Sequence, residues 1–188
     1  MVEHAVVFDL GICTFIVEIN GYVRSADNSE LRMWIAKRAQ TKKMWPGYLD
    51  NMAAGGIGNG DSVFASALKE CFEEAGTPAS IACRAQSSGT VQYMMRTELG
   101  LQPETRCVFD LELPADIVPQ PNDGEVEGVY LWTTDEVLAK VRAGLFAPNC
   151  TLGAIDFMIR HGVINAENEP DYLEIIDNIH AKLPFPGT

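Results

Sequence analysis

Three glutamates, Glu70, Glu73 and Glu74, stand close together in a stretch, residues 62–75, that holds neither glycine nor proline. On a helix turning about 100° per residue, side chains at i, i+3 and i+4 are neighbours, with Cβ atoms about 5–6 Å apart. The same wheel collects Phe64, Leu68, Cys71 and Ala75 into an apolar stripe that should face a core. The glutamates gather on a separate face, where like charges repel. Such a run is commonly a solvated surface. Here, however, the glycine-rich run Gly55-Gly56-Ile57-Gly58-Asn59-Gly60 leads straight into the helix, Asp61 stands at the expected N-cap, and Gly76 stands where a C′ glycine ends a helix. A loop that brings backbone close to a ligand, beside clustered carboxylates, suits Mg²⁺, a hard cation that takes oxygen ligands. A bound cation would turn mutual repulsion into coordination.

A second acidic cluster, Asp123-Gly124-Glu125-Val126-Glu127, opens a strand candidate. With a period of two, Glu125 and Glu127 would point to one face, and either could reach the first cluster. Basic residues are uneven: Arg24, Arg32, Lys37, Arg38, Lys42 and Lys43 are six of the fourteen. From that segment Arg38, Lys42 and Lys43, nearest the glycine-rich loop, are candidates to grip substrate phosphates. Trp34, Trp45, Tyr48 and Tyr93 are aromatic candidates for stacking on a ring, each also readable as core or surface. Arg160-His161, before Gly162, favour a helix C-terminus.

Around these residues the sequence reads as strands over 12–19, 31–36, 90–95, 106–113 and 126–133, with Asn20-Gly21 as a hairpin turn and the run from Gly55 to Gly60 as loop. Helices are expected over 62–75, 134–143, 149–161 and 171–183. This order predicts a mixed α/β domain, helices packed on a sheet. The chain is 188 residues long, 47% apolar and 21% charged, which suits one ordinary domain with its own core and rules out a disordered chain. A net charge of −12 argues against binding nucleic acid or an anionic membrane through bulk positive charge. Five scattered cysteines without a Cys-x-x-Cys pair point to a reduced, cytoplasmic chain. The apolar run from Ala5 to Val17 is broken by Asp9 and preceded by Glu3, so it reads as neither a signal nor a span.

The run from Gly55 through Asp61 to Lys69-Glu70-Cys71-Phe72-Glu73-Glu74-Ala75-Gly76-Thr77 resembles the Nudix box, G-x5-E-x7-R-E-U-x-E-E-x-G-U with U apolar. Asp61 stands for the first glutamate, Lys69 for arginine and Thr77 for the last apolar residue. Lysine supplies a point charge without the planar fork of arginine. The resemblance implies a Nudix-type α/β/α sandwich with a mixed sheet, as a single domain over 1–188 with a core over 12–165 and a C-terminal helix within 166–188. It implies an enzyme that hydrolyses a diphosphate linkage with Mg²⁺, or alternatively Mn²⁺. Glu70, Glu73, Glu74 and the backbone carbonyl of Ala54 would hold metal. The catalytic carboxylates would come from Glu70, Glu73 and Glu74, with Glu125 or Glu127 joining from outside the box.

Further segments resemble a Nudix subgroup fused to, or related to, thiamine pyrophosphokinase. They are Asn20-Gly21-Tyr22-Val23, Trp34-Ile35-Ala36-Lys37-Arg38, the stretch from Lys43 to Asn51, Asp123 to Glu127, Pro148-Asn149-Cys150, and Asp156 to Gly162. This implies thiamine diphosphate-like compounds, including oxo and oxy forms, as small-molecule substrates converted to the monophosphate. Members of the subgroup usually carry a further N-terminal region, expected here to be absent or vestigial. Three alternatives stand beside this one: a hydrolase of nucleoside diphosphates linked to another group, such as ADP-ribose; an isopentenyl-diphosphate isomerase-like enzyme; and a non-catalytic binding module on the same fold. The oligomeric state is not legible.

Overall fold

In the computed structural model, residues 12–27, 30–97 and 100–183 are described. The apolar run from Ala5 therefore lies largely outside them. The element order is β1 (Thr14–Arg24), β2 (Leu31–Arg38), β3 (Leu49–Asp50), β4 (Ala53–Gly56), α1 (Val63–Glu73), α2 (Ala79–Ala82), β5 (Gln86–Thr97), β6 (Gly100–Glu112), β7 (Val126–Thr133), α3 (Thr134–Arg142), α4 (Pro148–Arg160) and α5 (Tyr172–Ile179). One seven-stranded sheet runs β3-β2-β1-β6-β5, with β4 added to β1 and β7 to β2. The β1–β6 pair is parallel and the other pairs are antiparallel, so the sheet is mixed.

β1 is the axis of the molecule. One edge pairs with β6 from Thr14 to Tyr22, while the other pairs with β4 near its start and with β2 near its end. Its two faces are both covered, which explains its near-continuous apolar opening. Val17 and Ile19 enter one core with Ala67 and Cys71 of α1, Ala75 just beyond it, and Phe109 and Leu111 of β6. On the opposite side, Met33 and Ile35 of β2 pack with Val137 of α3 and Phe157 and Met158 of α4. Val91 and Val108 meet Ile179 of α5. Helices on both faces make the mixed α/β sandwich that the element order predicts.

Several local expectations are corrected. Asn20-Gly21 is not a turn but lies inside β1, because Asn20 is buried and donates to Asp110 (3.3 Å) while accepting from Asn51 (2.5 Å). The glycine-rich run is not all loop, since Gly55 and Gly56 pair with Val17 and Ile16 as part of β4. Ser62, not Asp61, caps α1, accepting from the Ala65 amide at 3.1 Å. Phe64 is 39% exposed, and the buried stripe of α1 runs through Ala67 and Cys71, with buried Ala75 following just past the helix. The C-terminal helix is shorter than expected, Tyr172–Ile179. Gly76 does take a left-handed φ of 57°, closing α1 as expected.

Candidate active site

A cleft of about 440 Å³ opens where β4, α1 and three loops converge. Ala54, Gly55 and Gly56 form one wall, and Lys69, Glu70 and Glu73 of α1 form the next. Arg38 and Lys42 enter from the end of β2 and the turn after it, Asp123 and Glu125 from the loop before β7. Ile16 of β1, Arg106 of β6, Asp50 of β3, and Asn149 with Cys150 at the start of α4 complete the lining.

The box helix is pressed onto β4 by its own carboxylates. Glu74 accepts the Ala54 amide at 2.8 Å, and the Glu70 carboxylate lies over Gly55, where an added Cβ would stand 2.1 Å from it. Only glycine allows that approach. Both glutamates are 7% exposed, whereas Glu73 is half-exposed and pairs with Lys69 at 3.0 Å across one helical turn. Burial pushes the Glu74 carboxyl up to about 8, and the nearby Asp50 charge adds to the shift; the Ala54 amide and Lys42 offset only part of it. Burial also raises Glu70, opposed by Lys69.

Glu74, Asp123 and Glu125 each offer an oxygen, and these three lie within 4.8 Å of one another. Opposite oxygens around an octahedral Mg²⁺ stand about 4.2 Å apart, given bonds near 2.1 Å, so small side-chain adjustments make this donor set fit the hard cation. Lys42 pairs with Glu125 and lies 3.8 Å from Glu74. Glu127 is placed elsewhere. Arg38 pairs with Val126 and Lys37 with Gly128, so Glu127 is the extra residue of a β-bulge, and, itself exposed, it pairs with Lys37 at 2.9 Å. Alternation breaks at that residue, and with it the expectation that Glu125 and Glu127 share a face.

Of the expected phosphate-gripping residues, Arg38 and Lys42 line the cleft and exposed Lys43 does not. Arg38 is itself held by Asp50 at 2.6 Å and by the Met44 carbonyl. No aromatic side chain lines the cleft among the described residues. Trp34 is core, Trp45 stacks edge-on against Tyr48, and half-buried Tyr93 donates to Glu104. His161 packs on Phe157 beside Asp110, outside the cleft.

Beneath the cleft lies a charged group that the sequence hides. Arg106 is 2% exposed and binds Glu18 at 2.5 Å and Glu104 at 2.7 Å. Glu18 is fully buried, its second oxygen has no hydrogen-bond partner, and it presses on Gly153 of α4. Burial pushes its carboxyl up to about 7 despite Arg106. Local spacing shows only Glu104 and Arg106 on one strand face; Glu18 is 88 residues from Arg106. Asp50 and Asp123 sit in segments that sequence reading singled out, but without a role.

The sequence pattern describing the NUDIX domain matches residues 19–148. The chain belongs to the NUDIX family. It is 40% identical to the uncharacterized protein YJR142W of Saccharomyces cerevisiae over 99% of its own length and 58% of that protein's. It is 38% identical to Nudix hydrolase 20, chloroplastic, of Arabidopsis thaliana, over 94% of this chain and 47% of that one. The chain thus spans about half the length of the curated relatives it matches. Among solved structures, the NUDIX domain of Shewanella oneidensis NrtR, complexed with ADP ribose, shares the fold at a TM-score of 0.61 and 14% identity, covering 78% of this chain and 87% of that one. No helix among the described residues is long and apolar enough to cross a membrane.

Proposed function

We propose that this NUDIX chain hydrolyses a diphosphate linkage in a small molecule and depends on a divalent cation, Mg²⁺ or alternatively Mn²⁺. The observation that carries the reading is the set Glu74, Asp123 and Glu125, with oxygens within 4.8 Å of one another, at a cleft that Glu70, Glu73, Asp123 and Glu125 line. Glu70, Glu73, Glu74 and the Ala54 carbonyl would hold the cation in this reading, and Asp123 and Glu125 would add carboxylate oxygens from the loop before β7. When bound, such an ion neutralises diphosphate oxygens and lowers the pKa of a water that can attack phosphorus. One of the ionised carboxylates, from Glu70, Glu73, Glu74 or Glu125, takes the proton of the attacking water. The Ala54 amide keeps Glu74 oriented, and Lys69 restrains Glu70 and Glu73. Arg38 and Lys42 supply positive charge to the phosphate side. Glu127 and Lys43 have no part in the cleft.

The substrate reading stays with the thiamine diphosphate-like class as an expectation from resemblance; a fold-level neighbour bound to ADP ribose keeps ADP-ribose-like diphosphates beside it. An isomerase-like reading would need a reactive cysteine. Cys150 lines the cleft, but burial raises its thiol well above the ordinary value, which leaves no thiolate at neutral pH. We propose residues 1–188 as one functional unit with its core over 12–165. Five free cysteines support a reducing compartment, with cytoplasm the proposed one.

The test is a hydrolysis screen with Mg²⁺ over thiamine diphosphate, its oxidised analogues, ADP-ribose and nucleoside di- and triphosphates, with products resolved by chromatography. Glu74→Gln is the control. Cleavage between phosphates that Glu74→Gln abolishes supports the reading. Activity confined to nucleotides removes the thiamine class, and a folded Glu74→Gln protein working at the wild-type rate removes the mechanism.

A further inference from the structure

Each cation that lines the cleft is already engaged by carboxylate: Arg38 by Asp50, Lys69 by Glu70 and Glu73, Arg106 by Glu18 and Glu104, Lys42 by Glu74 and Glu125. Lys42 differs from the others in its partners. Glu74 and Glu125 are two of the three residues whose oxygens converge closely enough for one cation. The ammonium thus stands against the same negative charge that the proposed divalent ion would use. Arg38 and Arg106, by contrast, are held by buried carboxylates outside that trio.

The loops are arranged for this contact. The Lys42 amide bonds the Ala39 carbonyl at 3.2 Å, and the Ala39 amide bonds the Glu125 carbonyl at 2.8 Å, so the turn that carries Lys42 is tied to the loop that carries Glu125. The Lys42 side chain is 22% exposed and Glu125 is 50% exposed, so the ammonium can move toward solvent without disturbing the core. A four-carbon stem with a compact head suits such a movement, whereas the two arginines are fixed by multiple bonds.

We propose that Lys42 is a built-in counter-cation: it pairs with Glu125 beside Glu74 in the metal-free protein, yields both carboxylates to a divalent cation, and then offers its freed ammonium to the oxygens of the diphosphate. The inference rests on the metal-dependent reading above. It makes cation and diphosphate binding mutually reinforcing, since the positive charge for the anion is released when the cation arrives. Like charges a few ångströms apart repel, so Lys42 cannot keep its present contacts once the divalent ion is held by the same carboxylates.

The experiment measures Mn²⁺ affinity by electron paramagnetic resonance for wild type, Lys42→Met, Lys42→Arg and, as a control away from the cleft, Lys140→Met. Methylenediphosphonate binding to the Mn²⁺-loaded proteins is then measured by calorimetry. Removing a competing, partly exposed ion pair should tighten Mn²⁺ binding about two- to fivefold in Lys42→Met. Lys42→Arg, which keeps the charge, and Lys140→Met should stay within about twofold of wild type. Methylenediphosphonate should bind the Mn²⁺-loaded Lys42→Met protein about tenfold more weakly than loaded wild type. Equal or weaker Mn²⁺ binding by Lys42→Met, with wild type binding normally, overturns the counter-cation role and leaves the metal-dependent reading standing. Wild type that binds no Mn²⁺ overturns both.

Discussion

Two charged clusters flank the central strands, and they are built to opposite ends. At one, Asp110 receives both guanidinium nitrogens of Arg160, an amide from Asn20 and the ring of His161. Burial alone would raise its carboxyl, but the bonds from His161 and Arg160 outweigh burial and hold it at about 2. At the other, Glu74 has one backbone amide and a lysine at 3.8 Å, and its carboxyl is pushed up to about 8. Both carboxylates leave water; one finds a full set of donors and the other does not. A saturated carboxylate is a clamp, joining α4 to the sheet. An undersaturated one leaves room for further positive charge, which in the proposed reading a divalent cation brings.

Neutralising each carboxylate separates the two roles. Glu74→Gln should lower diphosphate hydrolysis by about 10³-fold or more in steady-state kinetics while leaving the fold intact. Asp110→Asn should instead cost about 2–4 kcal/mol in denaturant unfolding, because the two terminal guanidinium nitrogens of Arg160 lose their charged partner and only its Nε bond to Asp156 remains. At pH 8 Glu74→Gln should be at least as stable as wild type in the same assay. A destabilised Glu74→Gln beside an unaffected Asp110→Asn would invert the comparison.

The pH dependence should carry both signs. Glu74 and Glu18, raised to about 8 and about 7, hold protons in the folded protein that the unfolded chain has released, so the metal-free protein should lose stability as pH rises from about 4.5 to 8. Asp110 acts the other way: its contribution is present above the ordinary carboxyl value near 4 and is lost as pH falls toward 2. A melting profile should therefore peak on the acid side of neutrality, and Mg²⁺ should raise the melting temperature most near pH 8. A flat profile from pH 5 to 8 would count against undersaturation.

The smallest contrast lies within one loop. Glu125→Gln should reduce hydrolysis about 10- to 100-fold, whereas Glu127→Gln, exposed and paired with Lys37, should change activity less than about twofold and leave the denaturation midpoint where it is in wild type. Equal losses in the two variants would mean that the bulge does not sort them.

This loop also shows what was legible in the sequence. Glu70, Glu73 and Glu74 could be placed together because a helix repeats without interruption, and the box spacing named the family that the NUDIX match shows. The α/β layering followed from the order of periodic segments. Glu125 and Glu127 could not be told apart, because strand alternation fails at a bulge that only the pairing with β2 reveals. Asn20-Gly21 has turn chemistry locally, but Asn51 and Asp110 supply its bonds from elsewhere in the chain. The Glu18–Arg106–Glu104 group was invisible for the same reason: its decisive pair spans 88 residues. Local patterns report faces and caps; partners brought by topology they do not report.

The most direct measurement of the central claim is Mn²⁺ binding to the metal-stripped protein, followed by electron paramagnetic resonance, for wild type and Glu74→Gln. Wild type should bind, and Glu74→Gln, still folded, should lose at least about tenfold in affinity. Wild type that fails to bind, or Glu74→Gln that binds as well as wild type, would contradict that claim.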